Sequence, residues 1–168
     1  PTQSLSHTHD RFRPFVTIPL FFPMRHPPFT PSQELRLQIH AEFAEKFHGA
    51  NVKVTFTVPK SSTGATVELA PHAKGQSWEY DDATKTVIWH IRKFPGASVQ
   101  FLSCKFVMSA RTDARREMGP ISLNFEIPMF NVSQLQVQHL KIIERNKAYN
   151  PHRWVRCLTH ADSYICRL

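Results

Sequence analysis

The stretch LRLQIHAEF, residues 35–43, decides the fold because apolar and polar side chains alternate along it. The apolar set is Leu35, Leu37, Ile39, Ala41 and Phe43, and the residues between them are Arg36, Gln38, His40 and Glu42. A period of two places successive side chains on opposite faces of a β-strand. This stretch therefore predicts a strand with one buried face and one polar face.

The same alternation returns along the chain, in NVKVTFTV (51–58), TVIWHI (86–91) and ISLNFEIP (121–128). Turn-forming runs such as DDAT (81–84) and FPG (94–96) separate these stretches, and no window shows sustained helical periodicity. Short alternating strands with frequent turns predict an all-β protein built as a β-sandwich. The proline-rich stretch from Phe12 to Phe29 predicts at most a short edge strand.

Two more strands are predicted near the carboxyl end, in LQVQHLKII (135–143) and WVRCLT (154–159). In the second, Trp154 and Arg156 fall on one face and Val155 falls on the other. An aromatic ring and a guanidinium two residues apart form a flat slot with a cationic wall, which suits a ring in a ligand. From the residues alone, a core position for Trp154 is the favoured interpretation.

Three motifs resemble the closing third of the mu homology domain, the cargo-binding module of the medium (mu) subunits of clathrin-type adaptor complexes. They are GPISLNFEIP (119–128), LQVQHLKII (135–143) and NPHRWVRCLTHADSYICRL (150–168). The W-V-R triplet followed by an S-Y-x-x-R-x ending is specific to that domain. The segments NPHRWVR and THADSY are most similar to the mu subunits of adaptor complex four.

The resemblance implies two intertwined β-sandwich subdomains, the second inserted between strands of the first. Mapped onto this chain, residues 1–13 are a linker or a remnant of the first subdomain, residues 14–130 are the inserted sandwich, and residues 131–168 supply the last strands of the first. The opening strands of the first subdomain are then expected upstream of Pro1. Without them, the last strands are expected to have unpaired edges.

The resemblance also implies a function: binding tyrosine-based sorting signals in the tails of transmembrane cargo, for vesicle transport from the trans-Golgi network. The implied peptide-binding residues are Trp154, Arg156, Val155, Val137 and Leu140, the first two for the tyrosine and the others for a bulky apolar residue. The implied partners are cargo tails, the large and small adaptor subunits and an Arf-family GTPase. The implied location is the cytoplasmic face of trans-Golgi, endosomal or coated-vesicle membranes. The alternative is a structural β-sandwich of a coat complex without peptide recognition, since Gln138, His139 and Cys157 depart from the family pattern.

Charge is distributed unevenly along the chain. Residues 85–168 contain thirteen Lys and Arg against five Asp and Glu, which accounts for the whole net charge of +8. The basic residues Lys141, Arg145, Lys147 and Arg153 are candidates for contact with anionic lipid, and a solvated surface is the alternative. Nucleic-acid binding ranks last, because the sequence lacks a basic stripe with interleaved aromatic residues.

Catalysis, a bound metal and a cofactor are not expected. The three cysteines form no C-x-x-C pair, which suits a reducing compartment, and the five glycines are scattered rather than gathered into a phosphate loop. His7, His9 and Asp10 could present metal ligands, but no cysteine stands near them. The triad residue types at positions 160–163 are too close in sequence to converge as nucleophile and base. The sequence also holds no apolar run long enough to span a bilayer.

Overall fold

The part of the chain that the structure describes contains ten strands and one short helix. The computed structural model describes residues 16–17, 22–23, 32–71, 73–109, 114–143, 152 and 154–167. The strands are β1 (Val16–Thr17), β2 (Phe22–Pro23), β3 (Ser32–His40), β4 (His48–Thr57), β5 (Ser62–Leu69), β6 (Gln76–Asp81), β7 (Thr86–Pro95), β8 (Val99–Met108), β9 (Ile121–Pro128) and β10 (Leu158–Cys166), and helix α1 is Ala114–Glu117. The predicted all-β fold is confirmed.

The strands form two antiparallel sheets. In the first sheet β3 pairs with β1, β2 and β8, and β8 pairs with β5. The second sheet has the order β10-β9-β4-β7-β6. The short strands β1 and β2 lie at the edge of the first sheet, where the prolines of this segment predicted an edge strand.

A hydrophobic core lies between the two sheets, built from the alternating residues that the sequence indicated and from residues of β8. The first sheet contributes Leu35, Leu37, Ile39, Leu102, Cys104 and Phe106, and the second contributes Val52, Val54, Phe56, Val87, Trp89, Ile91, Ile121, Leu123 and Ile127. Each of these side chains is at most 3% exposed. The two sheets therefore form the predicted β-sandwich.

One polar side chain joins the two sheets next to the largest core residue. The Trp89 indole Nε1 donates a hydrogen bond to Gln76 Oε1 at 3.0 Å, and Gln76 Nε2 donates to Gln100 Oε1 at 2.6 Å. Gln76 lies on β6 and Gln100 lies on β8, so the bridge crosses from one sheet to the other. It also satisfies the indole N–H of Trp89, which has no exposed surface.

The loop between β3 and β4 is fixed by the turn between β7 and β8. Gly96 N donates to Phe47 O at 3.0 Å, and Ala97 N donates to Phe43 O at 2.9 Å. A Cβ at Gly96 would lie 2.2 Å from Ala44 O, so this close approach requires glycine. The β3–β4 loop is consequently held as part of the sandwich rather than as a free connection.

The structure differs from the sequence prediction at the carboxyl end. Residues 135–143, predicted as a strand, lie in a segment without a strand, and the predicted strand from Trp154 begins only at Leu158. A strand forms through hydrogen bonds to an adjacent strand, and residues 135–143 pair with none of the described strands. The division of the chain into subdomains at residue 131 stays a prediction.

Candidate peptide-binding site

Strand β10 offers an open edge to a binding partner. It pairs with β9 alone and ends the second sheet among the described strands. A bulge interrupts its register between Ala161 and Tyr164, where the Asn124 side-chain amide donates to the carbonyl oxygen of Asp162. The outward backbone groups of an edge strand can accept an extended peptide as an added strand.

The two residues of the predicted tyrosine slot, Trp154 and Arg156, lie just before β10 with Val155 between them, and all three are exposed. Trp154 is 77% exposed and Val155 is 42% exposed, and the Arg156 side chain is also at the surface. The indole of Trp154 is therefore not part of the core, contrary to the interpretation that the residues alone favoured. Because this segment is not in a strand, the predicted separation of Val155 onto an opposite face is not formed here.

The residues predicted to receive a bulky apolar side chain are exposed as well. Val137 is 51% exposed and Leu140 is 52% exposed, in a segment that also presents Leu135, Ile142 and Ile143 to solvent. Asn131 orders the start of this segment: its Oδ1 accepts from the Ser133 amide at 3.1 Å, and its Nδ2 donates to Leu135 O at 2.6 Å. A pocket formed jointly by Val137, Leu140 and Val155 stays a prediction.

Two hydrogen bonds connect the start of β10 to the end of β9. Met129, with a φ of 60°, turns the chain out of β9, and its amide donates to Cys157 O at 2.8 Å. The Thr159 hydroxyl donates to Phe130 O at 2.8 Å. Both bonds lie within a few residues of Arg156, so they fix where the exposed segment leaves the sandwich.

The ring of Phe130 belongs to an aromatic cluster that the sequence analysis missed. Its centroid lies 5.9 Å from that of Phe43 and 5.1 Å from that of Phe47 in an edge-on arrangement. The Lys46 ammonium lies 5.0 Å from the centre of the Phe47 ring, at cation–π distance. A signal was available in the sequence. Apolar residues alternate with polar ones up to Ile127, and Phe130 stands at a position where that alternation would place a polar residue.

Of the predicted membrane-contact residues, Lys141 is exposed, and Arg145, Lys147 and Arg153 lie outside the described residues. The predicted metal candidates His7, His9 and Asp10 also lie outside them. Within the described ranges, no group of side chains could hold a metal ion, and no helix is long and apolar enough to cross a membrane.

Other features of the sandwich suit a structural role better than chemistry. A cavity of about 30 Å³ opens between the sheets near Phe43, Phe94 and Phe125, enough for one water molecule. The Cys104 thiol is buried in the core, and this burial raises its pKa to about 12. A thiol with that pKa is not a nucleophile at neutral pH. The open edge and the exposed indole fit binding better than bond-breaking.

The chain has recognisable relatives. The model of the "Adaptor complexes medium subunit family" matches residues 14–168. The chain is 36% identical over 137 residues to AP-4 complex subunit mu of Arabidopsis thaliana, covering 80% of this chain and 30% of the relative. It is 33% identical over 138 residues to AP-2 complex subunit mu of Dictyostelium discoideum, covering 80% and 30%. It is 30% identical over 138 residues to AP-1 complex subunit mu-1 of Arabidopsis thaliana, covering 80% and 31%.

The chain thus spans less than a third of the length of these curated relatives. The match covers the β-sandwich, the aromatic cluster around Phe130 and the exposed segment that contains Trp154. Together with the all-β architecture, it confirms the resemblance to a mu homology domain. The chain belongs to the medium-subunit family of the adaptor complexes.

Proposed function

We propose that this chain is the cargo-recognition part of an adaptor-complex medium subunit and binds tyrosine-based sorting signals of the form Tyr-x-x-bulky apolar. The observation that supports this most is the 77% exposed indole of Trp154, placed a few residues before an edge strand. A large aromatic side chain left at the surface beside open backbone groups is a typical peptide-docking feature.

In the proposed complex, the signal peptide lies extended along the chain from Trp154 into β10. Backbone hydrogen bonds supply much of the affinity, and alternate side chains of the peptide enter pockets. The Trp154 ring and the Arg156 guanidinium hold the phenol of the tyrosine through ring and cation–π contacts. Val155, Val137 and Leu140 receive the bulky apolar residue.

Short peptides of this kind bind with micromolar dissociation constants, equivalent to roughly −7 to −9 kcal/mol. A phosphate on the tyrosine would add charge and bulk to a slot shaped for a neutral ring, so phosphorylation abolishes binding in this proposal.

The wider role that we propose is that of a medium subunit in a heterotetramer with two large subunits and a small subunit. Such a complex would be recruited by an Arf-family GTPase to the cytoplasmic face of trans-Golgi or endosomal membranes and would sort cargo into vesicles. Exposed Lys141 and the other basic residues of this half of the chain would add attraction to anionic lipid. The role is one of binding, without catalysis or a cofactor.

A second candidate is a structural β-sandwich of a coat complex that does not bind peptides. It is favoured by one observation, namely that residues 135–143 form no strand, so Val137 and Leu140 are not held by a sheet next to Val155. A binding experiment separates the two candidates.

The test is fluorescence polarisation with a labelled tyrosine-signal peptide, using the polypeptide at its full natural length. Trp154→Ala and Arg156→Ala should each weaken binding at least tenfold. Trp78→Ala is the matched control, because Trp78 is 40% exposed on β6, at the opposite end of the same sheet. Equal binding by the wild type and both site variants would exclude this slot, and no binding at all would favour the structural role.

A further inference from the structure

We propose that Phe130 is the positioning residue of the candidate peptide site and holds the Trp154–Arg156 segment in place through the start of β10. This inference rests on the proposed function for its consequence in binding. Phe130 meets the start of the proposed peptide path through its backbone carbonyl, while its ring packs on the sandwich side against Phe43 and Phe47. Its effect passes through the two hydrogen bonds that join the end of β9 to the start of β10.

The backbone at Phe130 carries the connection to the site. Phe130 O accepts the Thr159 hydroxyl at 2.8 Å, and the preceding amide, that of Met129, donates to Cys157 O at 2.8 Å. Cys157 is the residue directly after Arg156. The position of the backbone at 129–130 therefore sets the point from which the exposed segment departs.

The ring of Phe130 carries the connection to the sandwich. It packs against Phe43 and Phe47, at centroid distances of 5.9 and 5.1 Å. The carbonyls of these two residues accept the amides of Ala97 and Gly96, in the turn between β7 and β8. A series of contacts thus runs from the hydrogen-bonded turn, through three aromatic rings, to the start of β10.

The exposed segment depends on this connection because residues 154–157 are not in a strand and have no sheet ladder. Releasing the ring would let the segment adopt other arrangements. The apparent affinity for a peptide falls by the fraction of molecules that keep the competent arrangement. One aromatic pair contributes a factor of roughly 2–12 in an equilibrium constant, so loss of both pairs lowers the ratio of competent to other arrangements by about fivefold or more, and the affinity falls by up to the same factor.

The experiment combines a geometric readout with a binding readout. The chain is labelled with 5-fluorotryptophan, and Trp154→Phe assigns the Trp154 resonance in the ¹⁹F NMR spectrum. Phe130→Ala removes the ring, Phe130→Tyr keeps it, and Phe101→Ala is the control, because Phe101 is 49% exposed on β8 of the other sheet. Peptide affinity is measured on the same variants at full natural length.

We expect Phe130→Ala to shift the Trp154 resonance away from its wild-type position, to leave the Trp89 resonance unchanged and to weaken peptide binding about fivefold. Phe130→Tyr should keep the wild-type Trp154 resonance and the wild-type peptide affinity, and Phe101→Ala should change neither. If Phe130→Ala leaves the Trp154 resonance at its wild-type position, the inference is overturned.

Two further outcomes are also decisive. If the Trp89 resonance moves as well, the variant has unfolded, and Phe47→Ala, which removes one of the two ring contacts, takes its place with the same expectation. If wild type and Trp154→Ala bind peptide equally while the Trp154 resonance still responds to Phe130→Ala, the positioning role stands and the proposed function fails.

Discussion

Gly96 offers the sharpest test of how the sandwich holds its β3–β4 loop. The substitution Gly96→Ala would place a Cβ 2.2 Å from Ala44 O and 2.7 Å from Phe43 O. Both obstacles are backbone atoms, which cannot rotate away as the end of a side chain can. Because a relaxed carbon–oxygen contact is about 3.2–3.5 Å, the loop would have to retreat by roughly 1 Å.

The cost follows from what this retreat disturbs. Overpacking alone costs about 1–3 kcal/mol. The retreat also stretches the hydrogen bonds from Gly96 to Phe47 O and from Ala97 to Phe43 O, each contributing about 1 kcal/mol. We therefore expect Gly96→Ala to lower the free energy of unfolding by about 3 kcal/mol, a large share of the stability of a typical domain.

Gly64 supplies a matched control, because a Cβ there meets no atom within 4 Å. Gly64→Ala, in strand β5, should leave stability unchanged or raise it by up to about 1 kcal/mol. The measurement is equilibrium urea unfolding followed by tryptophan fluorescence, with equal m-values for the variants compared. A Gly96→Ala variant within 1 kcal/mol of wild type would refute the steric argument.

Three other predictions concern buried polar groups and thiols. Gln76→Leu removes the acceptor of the fully buried Trp89 indole N–H and should cost about 1–3 kcal/mol in urea unfolding; a cost no larger than that of Gln38→Leu, on the outer face of β3, would contradict it. The Arg36 guanidinium and then the Ser103 hydroxyl hold the pKa of Glu34 below its ordinary value of 4.5. The ionised carboxylate therefore stabilises the fold above that pH. This contribution is lost as the pH falls through the folded-state pKa of Glu34. The stability difference between wild type and Glu34→Gln should accordingly be constant near neutrality and shrink below pH 4.5, whereas a pH-independent difference would show that the carboxylate charge contributes nothing. Cys104, with its pKa raised to about 12, should react with a thiol reagent at pH 8 only after unfolding, whereas the half-buried Cys157 and Cys166 should react in the native state; equal native rates for all three would contradict the burial.

The sandwich could be predicted from the sequence because its signal is local and repeated. In residues 35–43, 51–58, 86–91 and 121–128 the alternation of apolar and polar residues coincides with the buried and exposed faces of β3, β4, β7 and β9. Each such run has sheet neighbours inside the described chain. In these runs, the local sequence pattern and the pairing with neighbouring strands both favour a β-strand.

The carboxyl end could be predicted only in part, because alternation shows which residues could form a strand and not whether they pair with one. Residues 135–138 alternate as β3 does, yet residues 135–143 form no strand. The aromatic cluster escaped prediction for a different reason. Phe43 and Phe130 are far apart in sequence, and no periodicity links two rings that meet through a loop.

Strand β10 contributes no fully buried side chain to the sandwich, although β9 beside it buries every second residue. The last strand can therefore detach at a lower free energy than global unfolding requires, and its amide protons should exchange before those of β9. Each detachment would uncover the backbone edge of β9 beside Ile121, Leu123, Phe125 and Ile127. A strand of a neighbouring molecule could then pair with that edge. Detachment of β10 is thus a route by which molecules of this chain would associate in concentrated solution.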